Sequence, residues 1–196
     1  MAFDDDFQPP HGLRTDAFLL RQLVAADNPL DYQAVMETKE FLRIWEDPSF
    51  PPDDFTVEDN LKDVVKMEGR HNTRHSFAYT VMNLTETEVL GCVYISPTDV
   101  SWLADAEVSP VGDAQWADYD TSVSFWVRTS RIADGLDQRL FDALQQWLKD
   151  EWPTRTALFF TAEALDQQIA IYEQAGLELK FSVTEPDATD SSVAFA

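Results

Sequence analysis

Apolar residues recur at spacings of three and four between Leu30 and Met67, then alternate one in two between Phe77 and Ile95. Only helices bury a stripe with the first period and only half-buried strands a face with the second, so the chain must combine both. Leu30, Ala34, Val35, Thr38, Phe41, Leu42 and Trp45 fall on one helical face. Asn28 reads as the cap of that helix, with Pro29 at its first position and Asp47-Pro48 as its stop. Thr56, followed three residues later by Asp59, opens a second helix as a capping box, carrying Leu61, Val64, Val65 and Met67 up to Gly69. Phe77–Leu84 and Val89–Ile95, joined by the polar turn Thr85–Glu88, then read as an antiparallel hairpin.

The remaining segments extend this plan. Ala17–Val24 is a short apolar run with the character of a first strand, and residues 1–16 form an acidic, proline-bearing arm expected to be loose. Thr98–Asp120 is long for a connection and carries Trp102 and Trp116, which suggests a functional or interface loop. Ser122–Val127 reads as a strand that leads through a turn into a helix with Leu136, Leu140, Phe141, Leu144, Trp147 and Leu148 on its inner face. A strand at Ala157–Thr161, a helix at Ala164–Gln174 closed by Gly176, and strands at Leu177–Val183 and Ser192–Phe195 complete the chain. The expected fold is α+β, a mixed and largely antiparallel central sheet flanked by helices, in one domain over residues 17–196.

Composition narrows the function. With 36 acidic residues against 14 basic ones, the net charge of -22 repels a phosphate backbone, so nucleic acid is not an expected partner. Such a surface suits a salty interior, where ions screen self-repulsion, and points to a halophilic or marine source. No run of eighteen apolar residues is present, and MAFDDDFQPP is acidic where a signal peptide is basic and then apolar. A cytoplasmic protein with no membrane partner is expected. The single cysteine, Cys92, cannot make an internal disulfide and lies in an apolar strand, as a small core residue does. Three histidines provide no zinc-ligand cluster; His71 and His75, four apart, read as surface or hairpin residues, and no metal is expected.

Three stretches of this sequence resemble the GNAT superfamily of N-acetyltransferases. The first is Phe125-Trp126-Val127, the turn Arg128–Asp137 and the helix that follows. In the family such a loop holds the pyrophosphate of acetyl-CoA on backbone amides at a helix amino terminus, where unpaired N–H groups and the helix dipole meet an anion. The resemblance implies that Phe125, Trp126, Val127, Arg128, Arg131, Gly135, Leu136 and Asp137 contact acetyl-CoA. Registered on Gly135, the chain has Ile132 where the family has Gln or Arg, and Asp137 where it has Gly or Ala. Asp137 would stabilise the helix while repelling a diphosphate, and Arg128, Arg131 and Arg139 could offset it by pairing with phosphate or with nearby aspartates. Leu90-Gly91-Cys92-Val93-Tyr94-Ile95 resembles the family's central strand, and Ile171-Tyr172-Glu173-Gln174-Ala175-Gly176-Leu177 its late helix, which ends in Tyr-Glu-x-x-Gly-Phe.

By the same resemblance, the expected activity is transfer of an acetyl group from acetyl-CoA, bound as cosubstrate, to a primary amine of a small molecule or peptide by direct attack in a ternary complex. Tyr172 is the implied general acid, returning a proton to the departing thiolate, since a phenol and a thiol have similar ordinary pKa values. Asp118 and Asp120, just before the strand at Ser122–Val127, are the candidate bases. Trp102, Trp116 and Tyr119 could line a substrate pocket or simply pack the long loop. A homodimer is a further implication of the resemblance. The alternative is a GNAT-fold module that binds without catalysing, for which the altered pyrophosphate loop argues. An unrelated enzyme, such as a thioester hydrolase, would not separate the strand at Phe125–Val127 from that at Ala157–Thr161.

Overall fold

The computed structural model describes residues 7–186 and 190–196. Along the chain they form β1 (Gly12–Arg14), β2 (Leu19–Gln22), α1 (Asn28–Glu37), α2 (Lys39–Trp45), α3 (Val57–Asn72), β3 (Phe77–Met82) and β4 (Val89–Pro97). These are followed by α4 (Ser101–Ala104), β5 (Glu107–Pro110), β6 (Thr121–Val127), α5 (Thr129–Ile132) and α6 (Leu136–Glu151). The chain ends with β7 (Ala157–Ala162), α7 (Asp166–Gln174), β8 (Leu179–Thr184) and β9 (Ser192–Phe195). Among the described residues the strands make one nine-stranded sheet in the order β1-β2-β3-β4-β6-β7-β9-β8-β5. Every pairing is antiparallel except β6 with β7.

Alternation along the strands sends successive side chains to opposite faces, and helices cover both. Val123, Phe125 and Val127 of β6 pack with Phe159 of β7 against Leu136, Leu140, Phe141 and Leu144 of α6 and Ile171 and Tyr172 of α7. Trp126 and Cys92 face the other way, into Ala34 and Val35 of α1, Leu42 of α2 and Val64 of α3. A third cluster joins Leu158, Phe160, Phe181 and Val183 beneath Leu103 and Trp116. At Gly91, a Cβ would stand 2.1 Å from the Trp126 carbonyl oxygen and 2.9 Å from the Val127 Cα. Only glycine lets β4 run this close to β6.

The capping box at Thr56 forms as its spacing predicts, with Thr56 Oγ1 accepting from the Asp59 amide at 3.2 Å. Other expectations change. The single helix expected from Leu30 to Trp45 breaks at Thr38, a buried β-branched residue at φ -100° and ψ 6° whose amide is shared between the Ala34 and Val35 carbonyls. The break lets α1 lie on α3 and β4 while α2 turns toward β7. Asn28 does not cap α1; its side chain donates to the Val57 carbonyl at 3.0 Å and accepts from Asn60 at 2.9 Å. Asn60 also donates to Asp31 at 2.8 Å, so a buried polar cluster ties α1 to α3 in place of a cap at Asn28.

The arm is not loose from Phe7 onward. Phe7 packs on Phe77 and Trp152, Tyr79 Oη donates to the Pro10 carbonyl at 2.8 Å, and Gly12–Arg14 form the β1 edge. Residues 1–6 of that arm lie outside the described residues. The connection from Thr98 to Asp120 contains α4 and β5, and β5 pairs with β8, a long-range partner that local alternation does not reveal. His71 is buried, not at the surface; its Nδ1 lies 3.2 Å from the Ala78 carbonyl between the rings of Phe77 and Tyr79.

Candidate active site

β6 and β7 pair only from Thr121–Val123 to Ala157–Phe159, although they run on to Val127 and Ala162. Beyond Val123, β6 stays bonded to β4 as far as Gly91–Val127, while β7 stays bonded to β9 as far as Ala162–Ser192. Each strand follows its own antiparallel neighbour, and strand twist opens a gap between them. Gln168 of α7 stands in that gap: its Nε2 donates to the Phe125 carbonyl at 3.0 Å and its Oε1 accepts from Thr161 Oγ1 at 2.6 Å. Beside it lies a cavity of about 250 Å³ lined by Phe41, Phe125, Val127, Ile132, Asp137 and Leu165, among others.

The turn behind β6 leads to the start of α6. Gly135 adopts φ 69° and ψ 30°, and the first bond of the helix runs from the Arg139 amide to the Gly135 carbonyl. The left-handed position lets the chain reverse out of α5 without steric cost, and the opening amides of α6 have no partner within the helix. Of the residues expected to contact acetyl-CoA, Phe125, Trp126, Val127 and Asp137 line the cavity, Gly135 shapes the turn, and Leu136 turns into the core.

The arginines point elsewhere. Arg128 is buried, donating Nε to the Val89 carbonyl at 2.5 Å and Nη1 to Glu37 at 2.5 Å. Ser130 also donates to Glu37, and that hydrogen bond, followed by Arg128, holds the Glu37 carboxyl below its usual range. Arg131 Nη2 reaches both oxygens of Glu88 at 2.8 Å, and Arg139 Nη1 reaches the Asp134 carbonyl at 2.7 Å. The first two arginines thus pin the turn to α1 and to the β3–β4 connection. Asp137 keeps its carboxylate at the cavity, where Oδ2 accepts from Gln167 Nε2 at 2.8 Å.

The acid role implied for Tyr172 finds no geometry here. Its hydroxyl donates to the Phe160 carbonyl at 3.2 Å, its ring lies among Phe125, Phe141, Phe159 and Phe195, and it has no exposed surface. Burial pushes the phenol well above its ordinary value, away from the match with a thiol. Asp118 and Asp120 are not brought to the cavity either. They precede Thr121, at the other end of β6, roughly 20 Å away at about 3.3 Å per residue. Burial alone would raise Asp120, but hydrogen bonds from the Arg155 amide, Thr154, Thr121 and the Arg155 side chain outweigh it and hold the carboxyl low.

Glu46 ends α2, the helix whose Phe41 lines the cavity. The residue is exposed, while desolvation by its neighbours, followed by the charges of Asp63, Asp47 and Glu185, raises its carboxyl to about 7. Its charge also bears on Tyr94 of β4, which accepts from Trp126 Nε1 at 3.3 Å and packs beside Trp45. Sequence reasoning missed Glu46, Gln167 and Gln168 because nothing in their spacing marks them among so many polar residues. Cys92 is buried, and its thiol is pushed up by burial.

A larger recess, about 940 Å³, lies toward the start of β6, lined by Leu103, Trp116, Tyr119, Asp120, Arg155 and Phe181 among others. Trp102 and Trp116 pack edge-on to Phe160 there, and Trp116 and Tyr119 do so to Phe181. None of the residues lining it lines the cavity beside Gln168. Among the described residues no group of three or more His, Cys, Asp or Glu is placed to hold a metal, and no helix is long and apolar enough to cross a membrane.

A sheet opened between two parallel strands, with a helix start behind one of them, is the architecture of the GNAT acetyltransferases, and this chain has that fold. Solved structures match it over nearly its whole length. The ribosomal L7/L12 α-N-protein acetyltransferase RimL, in complex with coenzyme A, is 14% identical with a TM-score of 0.67, over 92% of this chain and 93% of its own. The ribosomal-protein-S5-alanine acetyltransferase from Vibrio fischeri is 13% identical with a TM-score of 0.68, over 94% of each chain. The aminoglycoside-complexed AAC(6')-Ib, bound to ribostamycin and coenzyme A, is 19% identical with a TM-score of 0.66, over 92% of each chain. No family model matches the sequence, and no curated protein matches it.

Proposed function

We propose that this chain transfers an acetyl group from acetyl-CoA to a primary amine of a small molecule or peptide, within a ternary complex. The observation that supports this reading is the gap between β6 and β7, with a cavity beside it that reaches from Phe125 and Val127 to Asp137 and Leu165. The apolar wall of Phe125, Val127, Ile132 and Leu165 suits the acyl arm, and the amides opening α6 suit its diphosphate. The amine nitrogen attacks the thioester carbonyl, a C–N bond forms, the C–S bond breaks, and the thiolate leaves. Glu46, poised near neutral pH, takes the proton from the amine. The acidic neighbours of Glu46 favour a cationic acceptor.

Calorimetric titration with acetyl-CoA in molar salt, followed by thiol release in the presence of amines of different charge, tests the reading. Saturable heat and amine-dependent thiol release are expected. Absence of heat and of any thermal shift at millimolar ligand overturns it. Binding without thiol release for any amine would instead identify a GNAT-fold binding module.

A further inference from the structure

Among the described residues, Gln168 bridges the gap between β6 and β7 with its side chain. Gln168 is buried, and its carboxamide bridges the two strands beyond their last paired residues, donating to Phe125 on β6 and accepting from Thr161 on β7. Both halves of one amide are therefore used as a strand's amide would be, joining two edges that no longer reach each other. Phe125 and Gln168 both line the cavity, so the bond between them lies at its edge. An extended ligand carrying amides binds such an edge by adding itself as a strand, with its N–H groups on the exposed carbonyls. The arm of acetyl-CoA carries two amides, so ligand and Gln168 compete for the same acceptor.

We propose that Gln168 is a latch: its carboxamide holds β6 and β7 closed in the free protein and must release Phe125 before the arm of acetyl-CoA can enter the gap. The latch rests on the acetyltransferase reading given above. Thr161 sets its strength, since the 2.6 Å bond from Thr161 Oγ1 fixes the orientation of the amide. Binding then draws only on the fraction of molecules with the latch open, and the apparent affinity falls by that fraction. Removing the latch removes that reduction. It acts on the rate of association, because the opening precedes entry of the ligand.

The test compares wild type, Gln168→Ala and Thr161→Val by stopped-flow and calorimetric binding of acetyl-CoA, with adenosine 3′,5′-bisphosphate as a ligand that lacks the amide arm. Both variants are expected to bind acetyl-CoA about fivefold tighter or more through a faster association rate, while the bisphosphate binds all three proteins alike. Thr161→Val keeps a β-branched side chain and removes only the hydroxyl that holds the Gln168 amide, so it reports on the latch even where Gln168→Ala is too unstable to measure. Unchanged or weaker binding of acetyl-CoA by the variants overturns the latch. Equal tightening toward the bisphosphate also overturns it, since that ligand has no amide to compete. Wild type that binds no acetyl-CoA sinks the acetyltransferase reading itself, a result distinct from either of these.

Discussion

Gln167, in the first turn of α7, donates its side-chain amide to Asp137, in the first turn of α6, at 2.8 Å. The contact ties together two helix starts that flank the cavity and fixes a carboxylate beside the amides proposed to meet a diphosphate. Asp137→Asn keeps an acceptor for Gln167 and removes the charge. A unit charge pair about 4 Å apart in water-like surroundings is worth about 1 kcal/mol, so acetyl-CoA should bind about fivefold tighter at low salt. The gain should shrink in molar salt, where screening shortens to roughly 3 Å. Calorimetry at two salt concentrations checks both points, and a gain that ignores salt would show that repulsion is not its cause.

Tyr172→Phe removes the hydrogen bond to the Phe160 carbonyl without changing the ring that fills the core. A buried hydrogen bond of this kind contributes about 1 kcal/mol, and denaturant unfolding should show a loss of that size. Turnover should change by less than about threefold, because the phenol is shut away from the cavity. A fall of about a hundredfold, the scale of a lost general acid, would put Tyr172 back into proton transfer.

Gly91→Ala places a methyl group 2.1 Å from the Trp126 carbonyl oxygen, and the obstacle is backbone, which cannot swing aside. β4 and β6 must part, at a cost of about 3 kcal/mol by the scale of overpacked cores. Thermal unfolding should register it as a clear drop in midpoint. An unchanged midpoint would mean that the β4–β6 pairing is looser than its register indicates.

Glu46 carries a pH signature with a definite sign. Its folded value of about 7 lies above the ordinary 4.5, so the folded protein holds the proton while the unfolded chain has lost it. Its contribution to stability therefore falls as pH rises from about 4.5 to about 7 and levels off above; Asp31, raised by burial from 3.8 to about 6, acts in the same sense. Glu46→Gln should flatten the decline relative to wild type over that window. If Glu46 takes the amine's proton, wild-type kcat/KM should rise with pH through about 7, and the variant should lose about a hundredfold and that rise. A variant with full activity and an unchanged profile would remove Glu46 from the reaction.

Elements that satisfy themselves locally were legible in the sequence. The Thr56–Asp59 capping box, the β3–β4 alternation and the amphipathic face of α6 use neighbours a few residues away, so their spacing carries the information. β5 was hidden because its partner, β8, lies far along the chain, Glu107 pairing with Thr184 at one end of the register and Pro110 with Phe181 at the other. The site divides in the same way. Phe125, Val127 and Gly135 were named through the family's strand and turn, whereas Gln168 and Glu46 gain their character from what surrounds them.

The sequence by itself determined that helices and a largely antiparallel sheet must coexist, and that a strand, turn and helix run from Ser122 to Lys149. Periodicity and caps act over one or two turns, which is the range a sequence exposes. Only the tertiary structure decided that β6 and β7 part beyond Val123, that Arg128 and Arg131 serve Glu37 and Glu88, and that Tyr172 is sealed in the core. Those outcomes turn on which distant groups share a low-dielectric space. Desolvation and hydrogen-bond partnership are properties of that space and not of any stretch of chain.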